Sequence, residues 1–300
     1  MSRDPVKHHT VPRFYLKGFT DPADPERIYV FRQGEPPFCT GVKGVAFINN
    51  YYTYEDNAGN TKSIERDLAD LIEGPTVPVL TKIRARQSIT KQEKEILARY
   101  ISVMLTRVPA HRKRAEAWLP EAVEKFRPQL PELLEELLAK SPPALQTREQ
   151  LLDMGHDYLD KYKEEPPSYL AVGLVSDKYA FVFAQMNWVF YTSTTQRGFV
   201  TSDNPVFFFE GFGLVGKNGP SDMVEVTFPI STHICLWASW RGTPGIADLA
   251  YAPATEALVT EINSRTASAA LRELYYPGNP RWIRGLVNKD RAMFTFKRIM

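Results

Sequence analysis

The sequence predicts an α+β fold, with a helical middle region packed on a mainly antiparallel sheet. Residues 61–185 repeat their apolar positions at helical spacing, whereas residues 187–240 break into short aromatic and β-branched runs divided by Gly, Pro and Asn. Strands are grouped apart from helices instead of alternating with them, which disfavours a parallel doubly wound sheet. With no long linker or internal repeat, the 300 residues are expected to form one domain. Its parts would be a mixed segment (1–60), a helical part (61–185) and a sheet-rich part with a late helix (186–300).

The elements follow in order. An extended opening leads to a strand at Ile28–Phe31 and another at Tyr51–Tyr54, and the stretch Asn57–Asn60 reads as a turn. Ser63 can cap a helix that carries Ile64, Leu68, Leu71 and Ile72 on one face and stops at Gly74. Thr90 with Glu93 forms a capping box opening a helix whose stripe runs Ile96, Leu97, Tyr100, Ile101, Met104, Leu105 and Val108, with Pro109 kinking or ending it. Pro131 suits the first turn of Glu132–Lys140, and Thr147 with Gln150 is a second capping box. Strands are expected at Trp188–Ser193, Phe199–Thr201, Val206–Phe209, Val224–Phe228 and Ile234–Trp240. A helix over Thr255–Leu274, a short segment Arg281–Leu286 and a closing strand Met293–Ile299 complete the chain.

Composition narrows the function classes. Apolar residues make up 43% and the net charge is +2, so the bulk charge does not point to nucleic acid. The two cysteines, Cys39 and Cys235, lack ligand spacing and read as reduced thiols of a cytoplasmic protein, and the polar first residues lack the form of a signal peptide. No uncharged apolar run reaches the length of a membrane span, and no Walker loop or strand-linked glycine fingerprint is present. Charge is unevenly spread: ten Lys/Arg face three Glu between Lys82 and Glu116, and eleven Asp/Glu face six Lys/Arg between Pro120 and Pro166. That pattern suits a self-neutralising pair of helices or a basic groove for a phosphate-bearing ligand.

Two polar knots carry the chemistry. The first is Lys7-His8-His9-Thr10-Val11-Pro12-Arg13-Phe14-Tyr15. Neighbouring side chains of an extended segment point to opposite sides, so one histidine, His9, is chosen as acid or base. The second is Thr201-Ser202-Asp203-Asn204-Pro205, a carboxylate between apolar strands that needs a partner, with His9, Arg107 and Arg112 as the candidates. Arg107 and Arg112 near a helix end could grip a phosphate by fork geometry or simply complement the helix dipole. Scattered histidines argue against zinc, while a Mg or Mn site with Asp203 as a member stays open.

The ordered motifs His9-x-x-Pro12-x-x-Tyr15-Leu16, Asn50-Tyr51-Tyr52, Ile64-Glu65, Arg107-x-Pro109-x-x-Arg112, Thr201-Ser202-Asp203-Asn204-Pro205 and Phe228-Pro229-Ile230-Ser231 resemble domain-of-unknown-function family 4238, over about residues 8 to 240. The resemblance implies an anti-phage defence role through a toxic or nucleic-acid-directed activity. It also implies that Glu65, Glu73, Arg107 and Arg112 lie near His9 and Asp203. The resulting expectation is a defence-type hydrolase, a nuclease or a nucleotide-cleaving enzyme. In it His9, Asp203, Asn204 and Glu65 are catalytic, and His8, Arg13, Tyr15, Arg107, Arg112 and Ser202 bind substrate. Two alternatives are a non-catalytic sensor or binding module acting through a partner protein, and a purely structural hydrogen-bond network.

Overall fold

A computed structural model of the chain describes residues 6–55, 61–140, 147–164, 177, 179–194, 197–209 and 224–287. The chain opens with β1 (Lys7–His9), and Pro12, extended at φ −61° and ψ 142°, caps the one-turn helix α1 (Arg13–Leu16). Next come β2 (Arg27–Arg32), β3 (Phe38–Gly41), β4 (Phe47–Asn49), β5 (Thr53–Glu55) and β6 (Thr61–Ser63). Tyr51 and Tyr52 thus form the turn before a strand rather than the strand itself. The predicted turn at Asn57–Asn60 lies outside the described residues, as does the predicted closing strand Met293–Ile299.

The helical middle starts with α2 (Glu65–Leu68), passes through a π-type turn at Ala69–Glu73 and continues as α3 (Gly74–Arg84). Gly74 was expected to stop this helix. It keeps helical angles (φ −53°, ψ −54°), and Pro75 sits just inside the new segment, where a missing N–H is tolerated. Thr90 and Glu93 form the predicted capping box of α4 (Lys91–Thr106), which buries Leu97, Tyr100, Ile101, Met104 and Leu105. Pro109 does not kink α4. It opens α5 (Pro109–Phe126), followed by α6 (Leu130–Lys140), α7 (Arg148–Glu164) and α8 (residues 179–185). Thr147 and Gln150 exchange the expected cap bonds, at 2.9 and 3.3 Å.

The sheet-rich part holds β7 (Asn187–Thr192), β8 (Thr201–Ser202), β9 (Phe207–Phe209), β10 (Glu225–Ser231), β11 (Ile234–Ser239) and β12 (Ala250–Pro253). After it come α9 (Glu256–Ala269), β13 (Glu273–Tyr276) and α10 (Arg281–Val287). The predicted late helix is therefore shorter, because Asp203 accepts the main-chain N–H groups of residues 271–273 and turns the chain into β13.

The strands form a five-stranded sheet ordered β12-β7-β11-β10-β9 and a four-stranded sheet ordered β3-β2-β13-β8. Two further pairs, β1-β4 and β5-β6, stand apart. All pairings are antiparallel except β12 with β7, so the α+β class holds. One buried cluster joins Leu97, Tyr100 and Ile101 of α4 to Phe228 and Ile230 of β10, seating the helical part on the larger sheet. Within β10, only Glu225–Thr227 pair with β9. Beyond that point the strand edge is open, so Pro229 removes no ladder hydrogen bond.

The N-terminal segment fills that edge. Tyr15 Oη donates to the Pro229 carbonyl at 2.7 Å, and Thr232 N donates to the Gly18 carbonyl at 3.1 Å. Arg84 donates to the carbonyls of Phe14, Tyr15 and Ile230. It satisfies the carbonyls that the end of so short a helix leaves without partners. The approach is so close that a Cβ at Gly18 would lie 2.6 Å from the Ile230 carbonyl oxygen.

Candidate functional site

The centre of the first knot is Arg107, at the C-cap of α4 with its side chain fully buried. A guanidinium cannot shed its charge, so burying one requires partners on every donor. Nη1 donates to Glu73 Oε1 at 2.7 Å, Nη2 to the His9 carbonyl at 2.5 Å and Nε to Tyr52 Oη at 3.2 Å. Glu65 Oε2 stands 3.8 Å from Nη2. Burial works against the charge, but Tyr52, Glu73 and Glu65 together hold Arg107 firmly protonated. Tyr52 Oη in turn donates to the Arg107 carbonyl at 2.9 Å, and burial pushes its own pKa up to about 12.

The two histidines diverge, as alternation along β1 requires. His8 is buried. Its Nδ1 accepts the Tyr52 N–H at 2.9 Å, and its ring stacks on Tyr52 with centroids 5.6 Å apart. Both contacts lie within the fold.

His9 lies on the other face, half-buried, its main-chain N–H donating to Glu65 Oε1 at 3.3 Å. Burial, then Arg13, Arg107 and Lys7, bring its pKa down to about 4, so the imidazole is neutral at pH 7. Among the described residues, His9 Nε2 and Glu65 Oε2 are buried with no hydrogen-bond partner. Burial raises the Glu65 carboxyl above its ordinary range, with Arg107 opposing that shift. Two acid–base groups thus keep unpaired atoms beside a fixed cation. Buried polar atoms of this kind call for an explanation.

Around them lie exposed cations. Arg13 is the first residue of α1 and exposed, and Lys7 Nζ sits 4.5 Å from the centroid of the Phe47 ring. Arg112, on α5, lies over the Tyr51 ring and pairs with Glu116 at 2.7 Å. Arg107 and Arg112 therefore do not form a clamp, because one is sealed in the core and the other lies on the next helix. His111 also belongs to α5.

The second knot meets the first through Tyr15 and Thr201. Asp203 Oδ1 accepts Leu271 N at 2.8 Å, and Oδ2 accepts Arg272 N and Glu273 N at 2.7 and 3.1 Å. Among the described residues these main-chain donors are its hydrogen-bond partners, and His9, Arg107 and Arg112 are not. Burial pushes the Asp203 carboxyl up to about 6, against the pull of the three N–H groups. Asn204 donates from Nδ2 to the Ala269 carbonyl at 2.7 Å, and Ser202 Oγ accepts Asn204 N at 3.1 Å. Tyr15, expected at the substrate, is fully buried and shares a 2.7 Å hydrogen bond with Thr201 Oγ1.

Among the described residues, no three His, Cys, Asp or Glu side chains converge to hold a metal ion. Asp203, Ser202 and Tyr15 thus spend these polar atoms on contacts within the fold, whereas Asn204 Oδ1 is buried without a hydrogen-bond partner. Tyr52 and Arg84 were missed. Tyr52 sits in the quoted Asn-Tyr-Tyr motif, but nothing in its spacing reports a partner 55 residues away.

The motif order finds its match at the level of the family. A family model described as a protein of unknown function (DUF4238) covers residues 7–277. The chain belongs to that family. No curated protein and no solved structure matches it. In this DUF4238 member the match takes in both knots, the catalytic candidate around His9 and the architectural one around Asp203. Among the described residues no helix is long and apolar enough to cross a membrane.

Proposed function

We propose that this DUF4238 protein is a hydrolase of phosphodiester or nucleotide bonds, acting in the defence role its family resemblance implies, with His9 as its acid–base group and Glu65 as the carboxylate beside it. The observation that carries the reading is the coexistence of His9 Nε2 and Glu65 Oε2, both buried without a hydrogen bond, with Glu65 Oε2 3.8 Å from the Arg107 guanidinium. An imidazole neutral at pH 7 takes the proton of a water attacking phosphorus. The imidazolium so formed gives that proton to the leaving oxygen as the P–O bond breaks, while the Glu65 carboxylate, beside Arg107, accepts a hydrogen bond from the attacking water. Lys7 and Arg13 hold the phosphate charge, and Arg107 acts as a positioning residue through Glu65, Glu73 and the His9 carbonyl.

The test is turnover of single-stranded and duplex DNA, RNA and nucleoside triphosphates by the purified chain. His9→Gln and Glu65→Gln should each lower turnover by about a hundredfold or more, with native circular dichroism. Unchanged turnover in both folded variants would overturn the proposal.

One observation favours the second reading, a binding module acting through a partner. Arg107 has Nε, Nη1 and Nη2 all committed, so the grip on a phosphate rests on exposed cations alone. A stoichiometric complex with no turnover by the wild-type chain would select that reading.

A further inference from the structure

Three exposed cations occupy neighbouring elements at the His9 corner: Lys7 on β1, Arg13 at the start of α1 and Lys43 in the turn Val42–Gly44. The fold ties these elements together. His9 pairs with Phe47 across β1 and β4, Thr10 N donates to the Ala46 carbonyl at 2.8 Å, and the turn packs on α1. Lys7 and His9 share one face of β1. There Lys7 Nζ lies 4.5 Å from the Phe47 ring centroid, and the His9 ring centroid lies 6.0 Å from it.

Among the described residues none of the three cations makes an ion pair. The nearby carboxylate, Glu26, is bound to Lys17 at 2.5 Å. That bond, then the charges of Lys17, Lys43 and Arg13, hold Glu26 below the ordinary carboxylate range. Burial, then Arg13, Arg107 and Lys7, lower His9. Arg13 acts on both groups, so the charges run in the order Lys7, His9, Arg13, Lys43. A free triphosphate calls for cations that converge on one point. Here they are strung along two elements and a turn, on both sides of a buried imidazole nitrogen that has no hydrogen bond. Charges so arranged suit anions spaced along a chain.

We propose that Lys7, Arg13 and Lys43 form a track for successive backbone phosphates of a polynucleotide, and that the phosphate seated at His9 is an internal one. The inference rests on the reading of His9 as a group that faces phosphate. It adds Lys43 as a binding residue and makes a strand, not a free nucleotide, the preferred ligand. Contacts to phosphate fix register and read no base, so the track is indifferent to sequence.

Fluorescence anisotropy with a labelled single-stranded dodecanucleotide, on the wild-type chain and on His9→Gln, tests this. Three neutralised phosphates give a logarithmic salt slope of about −2, so affinity should fall about twentyfold between about 50 and 200 mM KCl. Lys43→Gln should reduce the steepness of that slope by about 0.7, while leaving the affinity for adenosine triphosphate unchanged. Adenosine triphosphate should bind the wild-type chain about tenfold more weakly than the dodecanucleotide, and a circularised strand should bind as the linear one does. Binding of this kind by a chain that turns over no substrate would sink the hydrolase proposal and leave the track standing, so the two fail separately. Equal affinity for adenosine triphosphate and the dodecanucleotide, loss of binding on circularisation, or an unchanged slope in folded Lys43→Gln would each overturn the track. Tighter binding to phosphatidylserine vesicles than to the dodecanucleotide would also overturn it, by giving the cations to a membrane surface.

Discussion

The knot around His9 and the knot around Asp203 are built from similar side chains, and their hydrogen-bond ledgers differ. Asp203 has both oxygens occupied by main-chain donors from residues 271–273, and its work is to end α9 and start β13. In the other knot Arg107 is saturated, while His9 Nε2 and Glu65 Oε2 remain unpaired within a surround of Lys7, Arg13 and Arg107. A carboxylate or imidazole between apolar strands is ambiguous as a residue type. Asn204 Oδ1 of the second knot is likewise buried without a hydrogen bond, so the contrast lies between Asp203 and the His9–Glu65 pair and not between the whole knots.

The largest effect is expected at the saturated centre of the first knot. Arg107→Met leaves Glu73 and Glu65 buried beside an apolar chain and should lower unfolding free energy by about 3–5 kcal/mol, read by urea denaturation. A loss below about 1 kcal/mol would show that the cluster is not held by its ion pairs. Asp203→Ala strands three N–H groups and should cost about 2–3 kcal/mol, with turnover per folded molecule unchanged. Lost turnover in folded Asp203→Ala would break the comparison outright. Gly18→Ala forces a Cβ against the Ile230 carbonyl and Arg84 and should cost about 1–3 kcal/mol, seen as a lower melting temperature.

Acid titration sharpens the contrast, because the two groups carry opposite slopes. His9 has its pKa lowered from 6.5 to about 4, so its contribution is complete above 6.5 and is lost as pH falls through 4. Asp203 has its pKa raised from 3.8 to about 6, so its contribution is complete below 3.8 and is lost as pH rises through 6. Between pH 4 and 6.5, His9→Gln should therefore remove stability gained on raising the pH, and Asp203→Asn should remove stability gained on lowering it. Matching profiles for the two variants would show that one environment is misassigned. Smallest of all, Arg112→Gln removes an exposed i,i+4 pair and should change stability by about 0.5 kcal/mol or less.

Much of the fold could be read from the sequence because its signals are local. The Thr90–Glu93 capping box, the Leu97–Val108 stripe and the aromatic runs of β7, β10 and β11 each report their own backbone. Gly74 misled because a following proline starts a helical segment as readily as a glycine ends one. Around the first knot, the proximity of Glu65 and His9 was legible through motif order. The contacts of Asp203 were not, since its partners are main-chain N–H groups, which every non-proline residue possesses. Arg84 was equally hidden, being one basic residue in a basic stretch whose acceptors are backbone carbonyls.

The hydrogen bond from Tyr15 to the Pro229 carbonyl spans 214 residues of sequence. The segment carrying α1 and the strand edge that Tyr15 meets are thus far apart along the chain. Loop closure over such a span is slow compared with local helix formation. Docking of α1 on β10 therefore follows the local helices and hairpins, whereas the contacts of His9 with Glu65 and Arg107 need no residue beyond Arg107.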